Sequence, residues 1–146
     1  MAHALIERRF RRFRACNRGT SAVEFALIAP LFLAFLFGII VFGTYLAVVH
    51  GVQQLAAEAA RTSVAGLSDT ERSSLAVGYV TANASSYPLI TPSRLTVNAA
   101  AASGNVNVFV VTVNYDASSL FIYSLPFVPA PSSKIVSSAA IPRGGY

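Results

Sequence analysis

The sequence predicts an α+β membrane protein, in which one long N-terminal helix spans a membrane and continues into a small domain with a second helix and a short antiparallel sheet of about three strands. Three observations predict this class. The run from Phe25 to Val49 contains no charged residue. Ser68-Asp69-Thr70-Glu71 is typical of a helix start. Val106 to Tyr115 alternates apolar and polar residues, as strands do.

The apolar run is long enough to cross a bilayer. Its 25 residues would form a helix of about 37 Å, and ~20 residues suffice for the hydrocarbon core. The apolar core of a cleavable secretory signal is only about 7–15 residues long. A buried helix of a soluble domain is the alternative, but only 12 % of the chain is charged, against about 25 % in soluble domains. We therefore predict a transmembrane helix over residues 20–50.

Charge placement predicts the orientation. Residues 1–19 carry six arginines and one glutamate, whereas the rest of the chain carries five basic and five acidic residues. The positive-inside rule places this basic leader in the cytoplasm and residues 51–146 on the other side of the membrane. In a bacterium, where that membrane is the inner one, residues 51–146 are then a periplasmic domain. Because no basic face lies outside the leader, we expect no nucleic-acid partner.

Two features of the apolar run concern helix shape and packing. Pro30 removes a backbone hydrogen bond, so we expect a kink near it. Gly43, Ala47 and Gly51 recur every four residues, and Ala34 and Gly38 have the same spacing, which lets another helix approach closely. Small residues are also common in membrane helices in general, so this pattern has two interpretations.

Glu24 is an acidic residue at the edge of the apolar run. An ionised carboxylate in lipid costs about 2.5–3.5 kcal/mol unless it is paired or reaches the interface. Glu24 is therefore either a glutamate at headgroup level with no further role or one that pairs with a positive group.

The residues around Glu24 carry a resemblance. After the basic leader, Gly19-Thr20-Ser21-Ala22-Val23-Glu24-Phe25 resembles the processing site of type IV prepilins. The resemblance implies that a prepilin peptidase cuts after Gly19, which makes Thr20 the new N-terminus. Glu24 of a neighbouring subunit would then neutralise the new amine during assembly.

A longer stretch is more specific. Arg18 to Leu31 reads Arg-Gly-Thr-Ser-Ala-Val-Glu-Phe-Ala-Leu-Ile-Ala-Pro-Leu and closely resembles the start of TadE-like proteins. Their signature is a glycine, a Val-Glu-Phe-Ala core and a proline inside the membrane helix. The resemblance covers about residues 18–45 and does not separate TadE from its sister pseudopilin TadF. It implies a bitopic, pseudopilin-like accessory component of Tad/Flp pilus assembly, with other assembly subunits and a prepilin peptidase as partners.

Helical spacing of apolar residues continues beyond the membrane run. It predicts that the first helix extends to about Ala65 and stops at Gly66. A second helix follows over about 69–84, with Ser68 as its N-cap. A long N-terminal helix that is half in lipid and half packed on a small domain is also the layout of pilins.

The remaining residues favour strands. Leu95-Thr96-Val97 and Val106 to Tyr115 flank the turn signal Ser103-Gly104-Asn105, which predicts a hairpin, and Lys134 to Ile141 is a third candidate strand. The polar positions change phase within the second strand, which predicts a bulge or a doubly buried stretch near residues 108–111. The apolar, proline-containing stretch Leu120 to Pro131 is either a loop or short helix that covers the sheet, or a docking surface for a partner or the membrane.

No constellation for catalysis is present in the sequence. The two histidines are His3 and His50, so a Ser-His-acid triad within the domain has no histidine. No metal-ligand spacing occurs, and Cys16 is the single cysteine. We expect no enzymatic activity, no cofactor, no metal and no small-molecule substrate. Two alternatives to a pilus-assembly component remain: an uncleaved signal-anchored scaffold, or a periplasmic binding domain unrelated to filaments.

Overall fold

The computed structural model describes residues 17–126 and 128–143, in two compact units of which the first ends at Ile40 and the second begins at Val41. The sequence predictions for residues 1–16 lie outside the described residues. A long apolar helix, a second helix and a three-stranded antiparallel sheet confirm the predicted fold class. The elements are α1 (Asn17–Ser63), α2 (Asp69–Asn83), β1 (Leu95–Ala102), β2 (Asn105–Asp116) and β3 (Lys134–Pro142).

Helix α1 is 47 residues long and runs without interruption through Pro30. It ends at Ser63, two residues before the predicted end. The Ser63 hydroxyl donates to the carbonyl of Ala60 at 2.7 Å, and the amide of Gly66 donates to the carbonyl of Ser63 at 3.1 Å. These bonds satisfy part of the polar backbone that a helix end leaves unpaired.

The first unit is a stretch of α1 with an almost fully exposed apolar surface. Phe25 and Ile39 are 73 % and 71 % exposed, and an 18-residue window of the helix reaches a mean hydropathy of 2.8. Within the described residues, α1 is the one helix long and apolar enough to cross a membrane. Apolar side chains on all faces are typical of a helix surrounded by lipid, which indicates that this stretch of α1 crosses a membrane.

The second unit has a core built on the continuation of the same helix. Six residues of α1 recur at intervals of one, three or four and are at most 1 % exposed: Val48, Val52, Leu55, Ala56, Ala59 and Ala60. Branched side chains alternate with alanines along this face. Because the alanine side chains are small, other elements can pack close to the helix axis. One face of α1 therefore belongs to the domain core.

The sheet supplies the opposite side of that core. Its strand order is β1-β2-β3, with β2 in the centre and both pairings antiparallel. The odd-numbered residues of β2 from Phe109 to Tyr115 are at most 2 % exposed, and the even-numbered ones are partly exposed. The predicted hairpin turn is confirmed, with Gly104 at φ 92°, a conformation that glycine adopts without steric cost.

The irregularity expected in β2 lies nearer to this turn than predicted. Ala101 pairs with Phe109, whereas Ala102 pairs with Asn105. Residues 106–108 of β2 therefore have no counterpart in β1. Beyond Phe109 the alternation of buried and partly exposed positions is regular to the end of the strand.

Helix α2 starts at the predicted N-cap. The Ser68 hydroxyl accepts from the amide of Glu71 at 3.2 Å, while the Glu71 carboxylate accepts from the amide of Leu67 at 2.9 Å. In a standard capping box, that carboxylate accepts from the amide of the N-cap residue itself, here Ser68. In this helix it accepts instead from the amide of the preceding residue, Leu67. The helix packs against β1 and ends in a 3₁₀ turn at Ala84–Ser86.

The link between the two helices depends on Gly66. A Cβ atom at this position would lie 2.7 Å from both the backbone nitrogen and the Cγ of Arg72. Arg72 is itself buried, at 9 % exposed, so its side chain has little room to move. In contrast, a Cβ at Gly78 in α2 would meet nothing within 4 Å.

We predict opposite effects for two glycine-to-alanine substitutions. Gly66→Ala forces the α1–α2 link away from Arg72 and should destabilise the domain by about 1–3 kcal/mol. Gly78→Ala removes a helix-weakening glycine and should stabilise it by about 0.5–1 kcal/mol. Urea unfolding of the full chain in detergent micelles measures both, and equal effects of the two changes would contradict this account.

Candidate functional site

The start of α1 carries the residues that the sequence predicts to be functional. Gly19, Thr20 and Glu24 all lie within the helix. Thr20 and Glu24 are four residues apart, so they share one helix face and are separated by ~6 Å along the axis. Thr20, Glu24 and Phe25 are exposed. The helix thus presents a carboxylate one turn away from the position that the prepilin resemblance makes the mature N-terminus.

Glu24 is not part of any ion pair within the described stretches 17–126 and 128–143. The acidic partners of the three ion pairs there are Glu58, Asp69 and Asp116. Since the carboxylate borders a charge-free apolar run, a positive group from another molecule or from a new N-terminus would lower the cost of placing it there.

The small residues of α1 divide into two groups. Ala34, Gly43 and Ala47 are exposed, and a Cβ at Gly38 or Gly43 would meet nothing within 4 Å. Gly51 is buried, and a Cβ there would lie 2.9 Å from Cδ1 of Ile90 and 3.2 Å from Cδ1 of Tyr87. Gly51 therefore packs within its own domain, whereas the described chain places nothing against Gly38 or Gly43. At 100° per residue, Ala34 and Gly38 lie on the face opposite to Gly43 and Ala47.

A second cluster of polar groups lies at one end of the sheet. Arg94 directly precedes β1, Asp116 ends β2 and Lys134 begins β3. Nη1 of Arg94 donates to Oγ of Ser118 at 3.1 Å and lies 3.7 Å from Oδ2 of Asp116. Lys134 is the cross-strand partner of Asp116. The three charged residues line an open depression of about 310 Å³.

Hydrogen bonds keep Asp116 ionised. The backbone amide of Ser118 donates to its Oδ1 at 3.0 Å. This bond, with the Ser118 hydroxyl and the nearby Arg94 and Lys134, holds the pKa of Asp116 below its ordinary value of 3.8. At neutral pH the cluster therefore contains two cations and one anion.

The loop between β2 and β3 partly covers the core. Its 3₁₀ helix, Phe121–Ser124, buries Ile122 to 1 % exposure and leaves Phe121 66 % exposed. The hydroxyl of Tyr123 donates to the carbonyl of Ser132 at 2.9 Å, and that of Tyr45 in α1 donates to the same carbonyl at 3.4 Å. Burial raises the pKa of Tyr123, so its hydroxyl remains a donor. Phe127, also in the apolar patch, lies outside the described residues.

The sequence analysis did not predict the charged cluster, because Arg94, Asp116 and Lys134 entered it only in the charge balance. Their positions at the boundaries of the strands could have predicted it. In an antiparallel sheet of three consecutive strands, the starts of the first and third lie beside the end of the second. Strand assignment alone therefore places the three residues together. Within residues 17–126 and 128–143, no three His, Cys, Asp or Glu side chains come close enough to hold a metal ion.

Most of α1 is similar to a known family. Residues 19–61 match the family of TadE-like proteins. This confirms the resemblance seen at the start of the helix. The TadE-like segment runs from Gly19 to within two residues of the end of α1, so it includes both the exposed stretch and the core-forming stretch. A TadE-like segment indicates a function related to the Tad pilus. Neither a curated protein nor a solved structure matches this chain.

Proposed function

We propose that this protein is a bitopic inner-membrane accessory component of Tad/Flp type IV pilus assembly, which is pseudopilin-like and acts through protein–protein contacts rather than catalysis. The observation that carries the proposal is the TadE-like match over residues 19–61. The matched helix is bare and apolar up to Ile40 and is built into a folded domain beyond it. The basic leader would lie in the cytoplasm and the domain in the periplasm.

The proposed processing step is cleavage after Gly19 by a prepilin peptidase. Its support is the order of features along the chain: a basic leader, Gly19, Glu24 and then the charge-free run. Cleavage leaves an amine at Thr20, one helical turn from Glu24. Both groups would lie at the membrane edge, where an unpaired charge is costly.

Assembly then follows from charge and shape. The amine of one subunit and the Glu24 carboxylate of its neighbour neutralise each other in a medium of low dielectric constant, where such pairs are strong. Either pair of small residues, Ala34 with Gly38 or Gly43 with Ala47 on the opposite face, would allow a neighbouring helix to approach closely. An uncleaved scaffold would share the membrane helix but would need neither the new amine nor its pairing with Glu24.

Cleavage after Gly19 would change the mass of the protein. The intact mass of the protein from native membranes should correspond to a chain that begins at Thr20, and to the full chain in a strain without the prepilin peptidase. Gly19→Val should block cleavage, while the matched change Gly38→Ala should not. A full-length chain in the presence of active peptidase would exclude the pseudopilin role and leave the scaffold.

Pairing of Glu24 with a neighbour's amine depends on the charge of its carboxylate. Glu24→Gln keeps the shape of the side chain but removes its charge, so co-purification with partner pilus subunits should fall by about tenfold or more, which corresponds to ~1.4 kcal/mol. Membrane insertion should be unchanged. Glu58→Gln, which removes an exposed carboxylate further along α1, is the matched control. Normal co-purification of the Glu24 variant would contradict the pairing role.

A further inference from the structure

We propose that β3 takes up an extended segment of another protein as a fourth strand of the sheet, antiparallel to β3 and with an acidic side chain beside Lys134. The proposal deepens the proposed function, on which its biological role rests, by naming one of the protein–protein contacts. The contact lies entirely within the domain, so its binding test can fail while the processing test at Gly19 succeeds.

The backbone of β3 alternates between groups that bond to β2 and groups that face away from it. Just beyond the two ends of the strand, the amide of Arg143 donates to the carbonyl of Asn107 at 2.7 Å, and the amide of Ala117 donates to the carbonyl of Ser133 at 2.8 Å. Both bonds join opposite, odd-numbered residues in the register of β2 with β3. Because hydrogen-bonded positions alternate in an antiparallel pair, the even-numbered residues of β3 direct their amides and carbonyls to the outer edge of the sheet.

This outer edge is open over most of its length. Among residues 17–126 and 128–143, the one strand paired with β3 is β2. The outward groups of Lys134 bond to the hydroxyl of Ser132, which accepts from the amide at 3.2 Å and donates to the carbonyl at 3.3 Å. No side chain in that part of the chain bonds in this way to Val136, Ser138 or Ala140, and all three residues are exposed.

The opposite edge of the sheet is more covered. There α2 packs against β1. Since β2 turns its even-numbered residues to β1, and Thr112 lies opposite Asn98, the outward backbone groups of β1 belong to its odd-numbered residues. Of these, Leu95, Val97 and Ala99 pack partly against the core. A further strand can therefore be added at β3 rather than at β1.

The open groups of β3 fit an extended polypeptide. Alternate residues of a strand are ~6.8 Å apart, and a strand that adds to a sheet edge bonds at this repeat. Proteins usually block a free edge with a charge, a proline or a bulge. In β3 the charge and the proline stand at the two ends, Lys134 and Pro142, and the register with β2 is continuous between them. The stretch between the ends is left open to pairing.

Charge specifies the chemistry of the added strand. Lys134 and Val136 line the open depression at this end of the sheet, together with Arg94 and Asp116. Asp116 already lies 3.7 Å from Arg94, so the excess positive charge is that of Lys134, at the edge. An added strand would place one side chain directly opposite Lys134, with the Cβ atoms ~5 Å apart. An acidic side chain there would neutralise the excess, whereas β3 of a second copy contains no acidic residue.

A short capped peptide tests the proposal on the full chain in detergent micelles. When acetyl-Thr-Val-Thr-Val-Thr-Val-Asp-amide pairs antiparallel with β3, its threonines lie opposite Ala140, Ser138 and Val136 and its aspartate lies opposite Lys134. Binding should slow amide hydrogen exchange at Val136 and Ser138 at least tenfold and leave the outward amides of β1 unchanged. The matched peptide with Asn in place of Asp should bind at least threefold more weakly.

Two substitutions separate the charge contact from the backbone contact. Lys134→Gln should remove the difference in affinity between the two peptides, whereas Arg61→Gln, which removes an exposed cation of α1, should preserve it. Ser138→Pro removes an outward amide without removing a donor to β2, and an edge strand tolerates proline at such a position. This change should weaken the binding of both peptides tenfold or more.

Three results would overturn the proposal. The first is unchanged exchange at Val136 and Ser138 at high peptide concentration, and the second is equal affinity of the Asp and Asn peptides. The third is exchange at these amides that slows with rising protein concentration in the absence of peptide, which would assign the edge of β3 to a second copy.

Discussion

The packing of one helix face against one sheet face is the interaction on which the rest of this structure depends. Val48, Val52 and Leu55 of α1 share a fully buried cluster with the odd-numbered residues of β2. The same helix is bare on nearly all sides before Ile40. One helix therefore has two kinds of surface: an exposed apolar surface up to Ile40 and, beyond it, one face that belongs to the domain core.

Features with local causes were predictable from sequence. The N-cap Ser68, the turn at Gly104 and the alternation from Phe109 to Tyr115 depend on residues within a few positions of one another. The boundary at Ile40 was not predictable, because Val41 to Val49 are apolar whether they face lipid or a core. The gathering of Arg94, Asp116 and Lys134 required the strand pairing, and the exact place of the β2 irregularity depended on how Ala101 and Ala102 pair with it.

Oxygen accessibility along α1 tests the central claim most directly. In a Cys16→Ser background, single spin-labelled cysteines at successive positions from Leu36 to Val52, in the full chain in bilayers, report contact with lipid. The account predicts high accessibility on every face up to Ile40 and then a one-sided pattern, with labels at Val48 and Val52 inaccessible. High accessibility on every face through Val49 would show that the domain does not pack on this part of the helix in the membrane, and would contradict the account.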